Sequence, residues 1–335
     1  MGGNHFGNGI MPRMSTELYR RRCVFVTNAL RPHTKACGIP RCFSDKLDHG
    51  DIDVICFPKP ADPLIRDFPW VKKVDGPFLF CEDTEGPFQC DLTETASLEC
   101  FDFSLQWHSY SDVGNIVGRI VRSMGLTFCE NGVEMRLEEK KQRFATLMLS
   151  CQWDHVMAFI GFDAVRFRHG FDTDVQMFEW VCDNTNNFFQ PRTYVRPTEH
   201  NSALRRKLTV RPVHARFIQY VRQRYAIAED DDEPLPPKLD QAAICQHALD
   251  HFDCRNEYER LCQKERRLWE WRKFMSAERI QKWIDDPRCE GRALGDLMNA
   301  ARLQFPFCND AEDETTMDLD ELKHFIVEKW QEQLT

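Results

Sequence analysis

The run Leu47-Asp48-His49-Gly50-Asp51-Ile52-Asp53-Val54-Ile55-Cys56 constrains this chain more than any other stretch. A Gly-Asp pair enters an apolar strand, and a second aspartate follows two residues on. Side chains at i and i+2 of a strand share a face, so Asp51 and Asp53 are expected side by side. Two adjacent carboxylates repel each other and lose hydration unless a cation joins them. Mg²⁺, held by one or two carboxylates together with substrate phosphates, answers that demand. The competing reading is a surface strand whose charges serve solubility.

The flanking segments predict an α+β fold. Residues 1–14 read as a flexible tail. Residues 15–30 read as a helix, with Ser15 or Thr16 as N-cap, Pro32 beyond its end, and Leu18, Val24, Val26 and Leu30 on the buried face. A short strand around Ala36–Ile39 leads into a polar loop with Arg41, Ser44 and Lys46. Phe78–Cys81 and Phe88–Leu92, joined by Asp83-Thr84-Glu85-Gly86, form a hairpin. The period then becomes helical through Ile116, Val117, Ile120 and Val121, with Ser109 or Ser111 as cap and Gly125 at the C-terminus. Gly114 and Gly118 inside that helix point to tight packing or close substrate approach. Gly132–Leu137 reads as a strand, and 145–162 as a strand and a helix ending at Gly161. The expected organisation is a catalytic domain over 15–140, a basic helical extension over 141–225, an acidic, proline-bearing linker over 226–238, and a helical region over 239–335.

The 335 residues carry a formal net charge of −9, which argues against an overall electrostatic grip on nucleic acid but leaves room for a local basic groove. No apolar run of about 18 residues is present, so no membrane partner is expected. The N-terminus lacks a secretory pattern, which predicts an intracellular protein, cytoplasmic or nuclear, with its fifteen scattered cysteines reduced.

In-line phosphoryl chemistry with two metals about 3.5–4 Å apart needs a third acid. Asp91 is the preferred candidate, because it stands alone in an apolar strand where an unpaired carboxylate is costly. Glu94, Asp102 and Glu134 are the alternatives. With helix, strand, loop, Gly50-Asp51-Ile52-Asp53 and a later lone Asp, the chain resembles the nucleotidyltransferases of the DNA polymerase beta and poly(A) polymerase type. Segments 110–128 and 170–181 also resemble viral and fungal members of that superfamily. The resemblance implies a small mixed or antiparallel sheet flanked by helices and followed by a mostly helical C-terminal part. It implies that Asp51, Asp53 and Asp91 bind Mg²⁺ or Mn²⁺ and that Gly38, Arg41, Ser44, Lys46 and Gly50 flank the NTP. The implied reaction moves a nucleoside monophosphate to a hydroxyl acceptor and releases pyrophosphate. The acceptor stays open between an RNA 3′ end, a protein hydroxyl and a small molecule. Ile39-Pro40 stands where the family has a second Gly or a Ser. An inactive nucleotide- or RNA-binding member is therefore one alternative, and a helical interaction module is another.

Two further clusters admit two readings each. Cys245, His247, His251 and Cys254 could hold zinc, but their spacing fits no standard finger and suits a mixed helix face. Arginines and aromatics between 192 and 224 could track a polynucleotide, or could pair with the acidic run and solvate a helix. Trp269, Trp271 and Trp283 are expected as core anchors.

Overall fold

The computed structural model describes residues 5–6, 11–59, 67–139, 142–186, 188–195, 211–228, 231–305 and 319–334. It is an α+β protein that divides into two compact units, one of residues 1–136 and 146–252, the other of residues 137–145 and 253–335. Among the described residues, no helix is long and apolar enough to cross a membrane.

The first unit is built on a five-stranded sheet ordered β2-β4-β7-β6-β5. Its strands are β2 (Ala36–Gly38), β4 (Asp51–Phe57), β5 (Val71–Asp75), β6 (Phe78–Asp83) and β7 (Gly86–Glu94). Only β4 and β7 run parallel; β2–β4, β5–β6 and β6–β7 are antiparallel. The expected hairpin forms, with Asp83 opposite Gly86 at its turn. Alternation gives the sheet two unlike faces. Ile52, Val54, Leu79, Cys81, Phe88, Cys90 and Leu92 are buried in one core cluster together with Val26 and Leu30 of α1 (Thr16–Leu30). The other face carries Asp51, Asp53, Gln89 and Asp91.

Ser15 caps α1, accepting a hydrogen bond from the Leu18 amide at 3.2 Å. Its buried face differs from the expected one: Val24 is 62 % exposed, whereas Arg22 is buried. Arg22 is tolerated there because it donates to both Asp83 oxygens, at 2.7 and 2.8 Å, and lies over the Phe88 ring. Before α1, the stretch read as a tail contains buried Met11 and Met14, and β1 (Met14–Ser15) pairs with β3 (Asp48–His49).

α2 (Phe101–His108) is a helix without a sequence signal, and the helix expected after Ser109 or Ser111 follows it as α3 (Val113–Ser123), with Asp112 at its N-cap position. Tyr110 and Ser111 break them with φ of 55° and 61°, a conformation that side chains other than glycine give no sequence signal for. β8 (Thr127–Cys129), β9 (Gly132–Glu139) and β10 (Gln142–Ser150) make a second sheet. The unit continues with α4 (Trp153–Ile160), α5 (Ala164–His169), α6 (Asp174–Cys182), α7 (Pro191–Val195), α8 (Pro212–Arg224) and α9 (Gln241–His251). Phe103, Trp153, Phe167 and Trp180 pack ring against ring among them.

The second unit includes α10 (Arg255–Phe274), α11 (Ala277–Ile284), α12 (Gly291–Gln304) and α13 (Leu319–Leu334). Ile280, Leu297, Ala301, Leu322 and Ile326 form its core, with Trp271 and Trp283 packed against them. Trp269 departs from its expected anchoring role, being 48 % exposed.

Candidate active site

Register assembles the carboxylates. In the parallel β4–β7 pair, Asp53 stands opposite Asp91 and Asp51 opposite Gln89. Paired residues of neighbouring strands point to one face, so Asp51 and Asp53 share a single patch with Asp91, 38 positions beyond Asp53. Of the other candidate acids, Asp102 is taken by Arg168 at 2.8 Å and Glu94 accepts from the Lys59 amide at 3.0 Å. Glu134 lies in the other sheet, opposite Thr127.

Electrostatics follow from that crowding. The Asp91 carboxyl is pushed up to about 7, first by burial, with Asp51 and Asp53 adding to the rise and a hydrogen bond from Gln89 opposing it. Asp53 still reaches solvent, yet its proton affinity also rises, through the protein around it and then through Asp51; His108 and Lys46 pull the other way. Among the described residues, no three potential ligand side chains are close enough to hold one ion as they stand. The Gln89 Nε2 atom donates to Asp91 Oδ1 at 2.8 Å, and three like charges gain by keeping apart. The donor set itself, hard carboxylate oxygens on a rigid sheet, suits Mg²⁺ or Mn²⁺.

The loop expected to flank a triphosphate is differently occupied. Gly38 ends β2 opposite Ile55, and a Cβ there would come within 3.3 Å of Phe101 and Leu105 of α2. Close helix packing is therefore what Gly38 provides. Arg41 donates to the carbonyls of Phe167 and Arg168 at 2.9 and 2.8 Å and to Gln106 at 2.9 Å. It ties the loop to α2 and α5. Ser44 Oγ donates to Asp172. Lys46 remains a neighbouring cation for Asp53, and buried Gly50 joins β3 to β4. A cleft of about 490 Å³ borders this loop, lined by Tyr19, Ile39, Arg41, Ser44, Tyr110 and Asp172 among others, with no carboxylate of the patch in its wall.

Four residues of the site were not among the candidates read from the sequence. Gln89 is 3 % exposed and holds Asp91. His108, whose Nε2 donates to Glu130 Oε2 at 3.3 Å, faces Asp53 electrostatically. His49 is buried, stacks on Tyr19 at 3.8 Å, and has its proton affinity pushed down to about 4 mainly by burial. His5 donates its backbone N–H to Gln89 Oε1 at 3.0 Å. His108, His49 and His5 act across long sequence separations, which periodicity does not encode, whereas Gln89 lies two residues from Asp91 on one strand face, where alternation could have placed it.

The other two clusters make the following contacts where they are described. His247 and His251 pack with Phe159, and His251 also with His155 and Phe252, as an aromatic cluster. In the basic stretch, Arg192 pairs with Asp231 and Glu233, Arg211 with Asp112, Arg216 with Asp174, and Arg224 with Asp183. Arg196, Arg205, Arg206 and Lys207 lie outside the described residues. No family model and no curated protein matches the chain.

Proposed function

We propose that the chain is a nucleotidyltransferase that moves a nucleoside monophosphate from an NTP to a hydroxyl acceptor, with Mg²⁺ or Mn²⁺ as cofactor and pyrophosphate as product. The observation that carries this reading is the Asp53–Asp91 register on parallel strands, with Asp51 on the same face. Asp51, Asp53 and Asp91 would hold the metal, which supplies charge neutralisation on the phosphates and on the attacking oxygen. Asp91, with its proton affinity raised, is suited to take the proton of the acceptor hydroxyl, and Gln89 fixes its orientation. Lys46 adds a positive charge beside Asp53.

Pyrophosphate release by the full chain, with NTP, Mg²⁺ or Mn²⁺ and 3′-hydroxyl oligonucleotides, tests the reading. Asp51→Asn and Asp53→Asn are expected to cut turnover by about 10³-fold or more. Unchanged turnover in both would end it. A second reading, binding without chemistry, is favoured by Arg41 and Ser44 being engaged by protein groups beside Ile39-Pro40. It expects Mg²⁺–NTP to raise the melting temperature while no pyrophosphate appears.

A further inference from the structure

Beyond the carboxylates, the same sheet face continues into an aromatic surface. Phe78 stands opposite Asp91 and Phe80 opposite Gln89 in the β6–β7 register. Asp75 and Lys73 continue the row on β5, opposite Phe78 and Phe80. Both phenylalanines are half-buried only. The His5 imidazole lies flat on Phe78, with ring centroids 3.9 Å apart and planes 23° from parallel. Its Nε2 meets Asp75 Oδ2 at 3.0 Å, and its backbone N–H reaches Gln89 Oε1 at 3.0 Å. Phe6 sets its ring edge to face with Phe80, and the Lys73 ammonium lies 5.3 Å from the Phe6 ring. A planar nitrogen heterocycle, stacked on an aromatic ring and hydrogen-bonded at its edge, is the arrangement in which proteins hold an unpaired base.

We propose that Phe78 and Phe80 are a stacking platform for the terminal base of a single-stranded polynucleotide, and that His5 occupies the base position in the free protein. The proposal deepens the nucleotidyltransferase reading, since a base on Phe78 brings its sugar alongside Asp91. Asp75 Oδ2 at the ring edge and Gln89 Oε1, which accepts from the His5 backbone, are both acceptors, which favours a base with an exocyclic amino group over uracil. Lys73, exposed on β5 in the same row, is placed to meet a phosphate. The ring of His5 must leave for the base to enter, so His5 acts as a competitor and lowers the apparent affinity by the fraction of platform it covers.

Fluorescence anisotropy with labelled oligoadenylate and oligouridylate, in the metal-free full chain, reads this out. His5→Ala is expected to tighten oligoadenylate binding several-fold. Phe78→Leu, which keeps an apolar side chain but no ring, is expected to weaken it about tenfold, the loss typical of one stacked base. Phe78→Tyr is expected to bind like the unmodified chain, which separates loss of stacking from loss of fold. Oligouridylate is expected to bind more weakly than oligoadenylate. No saturable binding by the unmodified chain and by His5→Ala, or equal affinities across His5→Ala, Phe78→Leu and the unmodified chain, overturns the proposal. The parent reading fails separately: Asp51→Asn and Asp53→Asn then leave turnover untouched while the Phe78 dependence of binding persists.

Discussion

Asp91 concentrates the conflict between stability and function in one side chain. Its carboxyl is pushed up to about 7 by burial and by Asp51 and Asp53, against a usual value near 3.9 in the unfolded chain. Between those values the folded state binds the extra proton, so stability falls as pH rises. The contribution is whole below the unfolded value and is lost as pH climbs through about 7. Asp91→Asn removes both the repulsion and the proton linkage. In chelator at pH 7.5 it is expected to be more stable than the unmodified chain by about 1 kcal/mol, a gain common when a functional site is neutralised. The advantage should shrink toward pH 4, and turnover should vanish. Thermal melts of the two proteins across pH 4–8 check this, and a pH-independent difference would refute it. Adding Mg²⁺ at pH 7.5 should raise the melting temperature of the unmodified chain more than that of the variant.

Among the elements, α3 separates two glycines that look alike in sequence. A Cβ on Gly114 would sit 2.7 Å from the Trp107 ring and 2.8 Å from its carbonyl, whereas on Gly118 it would meet Phe128 at an ordinary 3.5 Å. Alanine gains roughly 1 kcal/mol over glycine in a helix interior, and overpacking costs about 1–3 kcal/mol. Gly114→Ala is therefore expected to destabilise by about 1–2 kcal/mol and Gly118→Ala to stabilise by about 0.5–1 kcal/mol, both measurable by urea unfolding. The same contrast marks what the sequence conveyed. Alternation and turn residues made β4, β6, β7 and the Asp83–Gly86 turn legible, and with them all three acids as candidates, Asp91 as the lone acid of its apolar strand. Parallel pairing of β4 with β7 was not legible, because it depends on where β5 and β6 carry the chain between them. The start of α3 was legible from its serine cap candidates, whereas α2 before it was not, and Tyr110 and Ser111 between them turn the chain without a glycine. Arg41 misled for a different reason: a loop arginine looks the same whether it faces a phosphate or the carbonyls of Phe167 and Arg168.

For the whole molecule, the decisive quantity is how much of its positive charge is free to meet a polyanion. The net charge is −9, and Arg192, Arg211, Arg216 and Arg224 of the basic stretch are each matched by an acid. Exposed ion pairs are worth little to stability, but each one also withholds a cation from counterion release. A polynucleotide bound on Phe78 and Phe80 would find Lys73 nearby and three carboxylates beside it. Single-stranded binding weakens with salt by a slope of about −0.7 per phosphate neutralised. The expected slope of log affinity against log salt for oligoadenylate is therefore shallow, about −1, with stacking supplying the remainder. Lys73→Gln should flatten it toward zero, while Arg216→Gln should leave it unchanged. A slope of about −5 or steeper would instead assign the grip to Arg196, Arg205, Arg206 and Lys207, and oligonucleotide titrations between 50 and 300 mM salt distinguish the two.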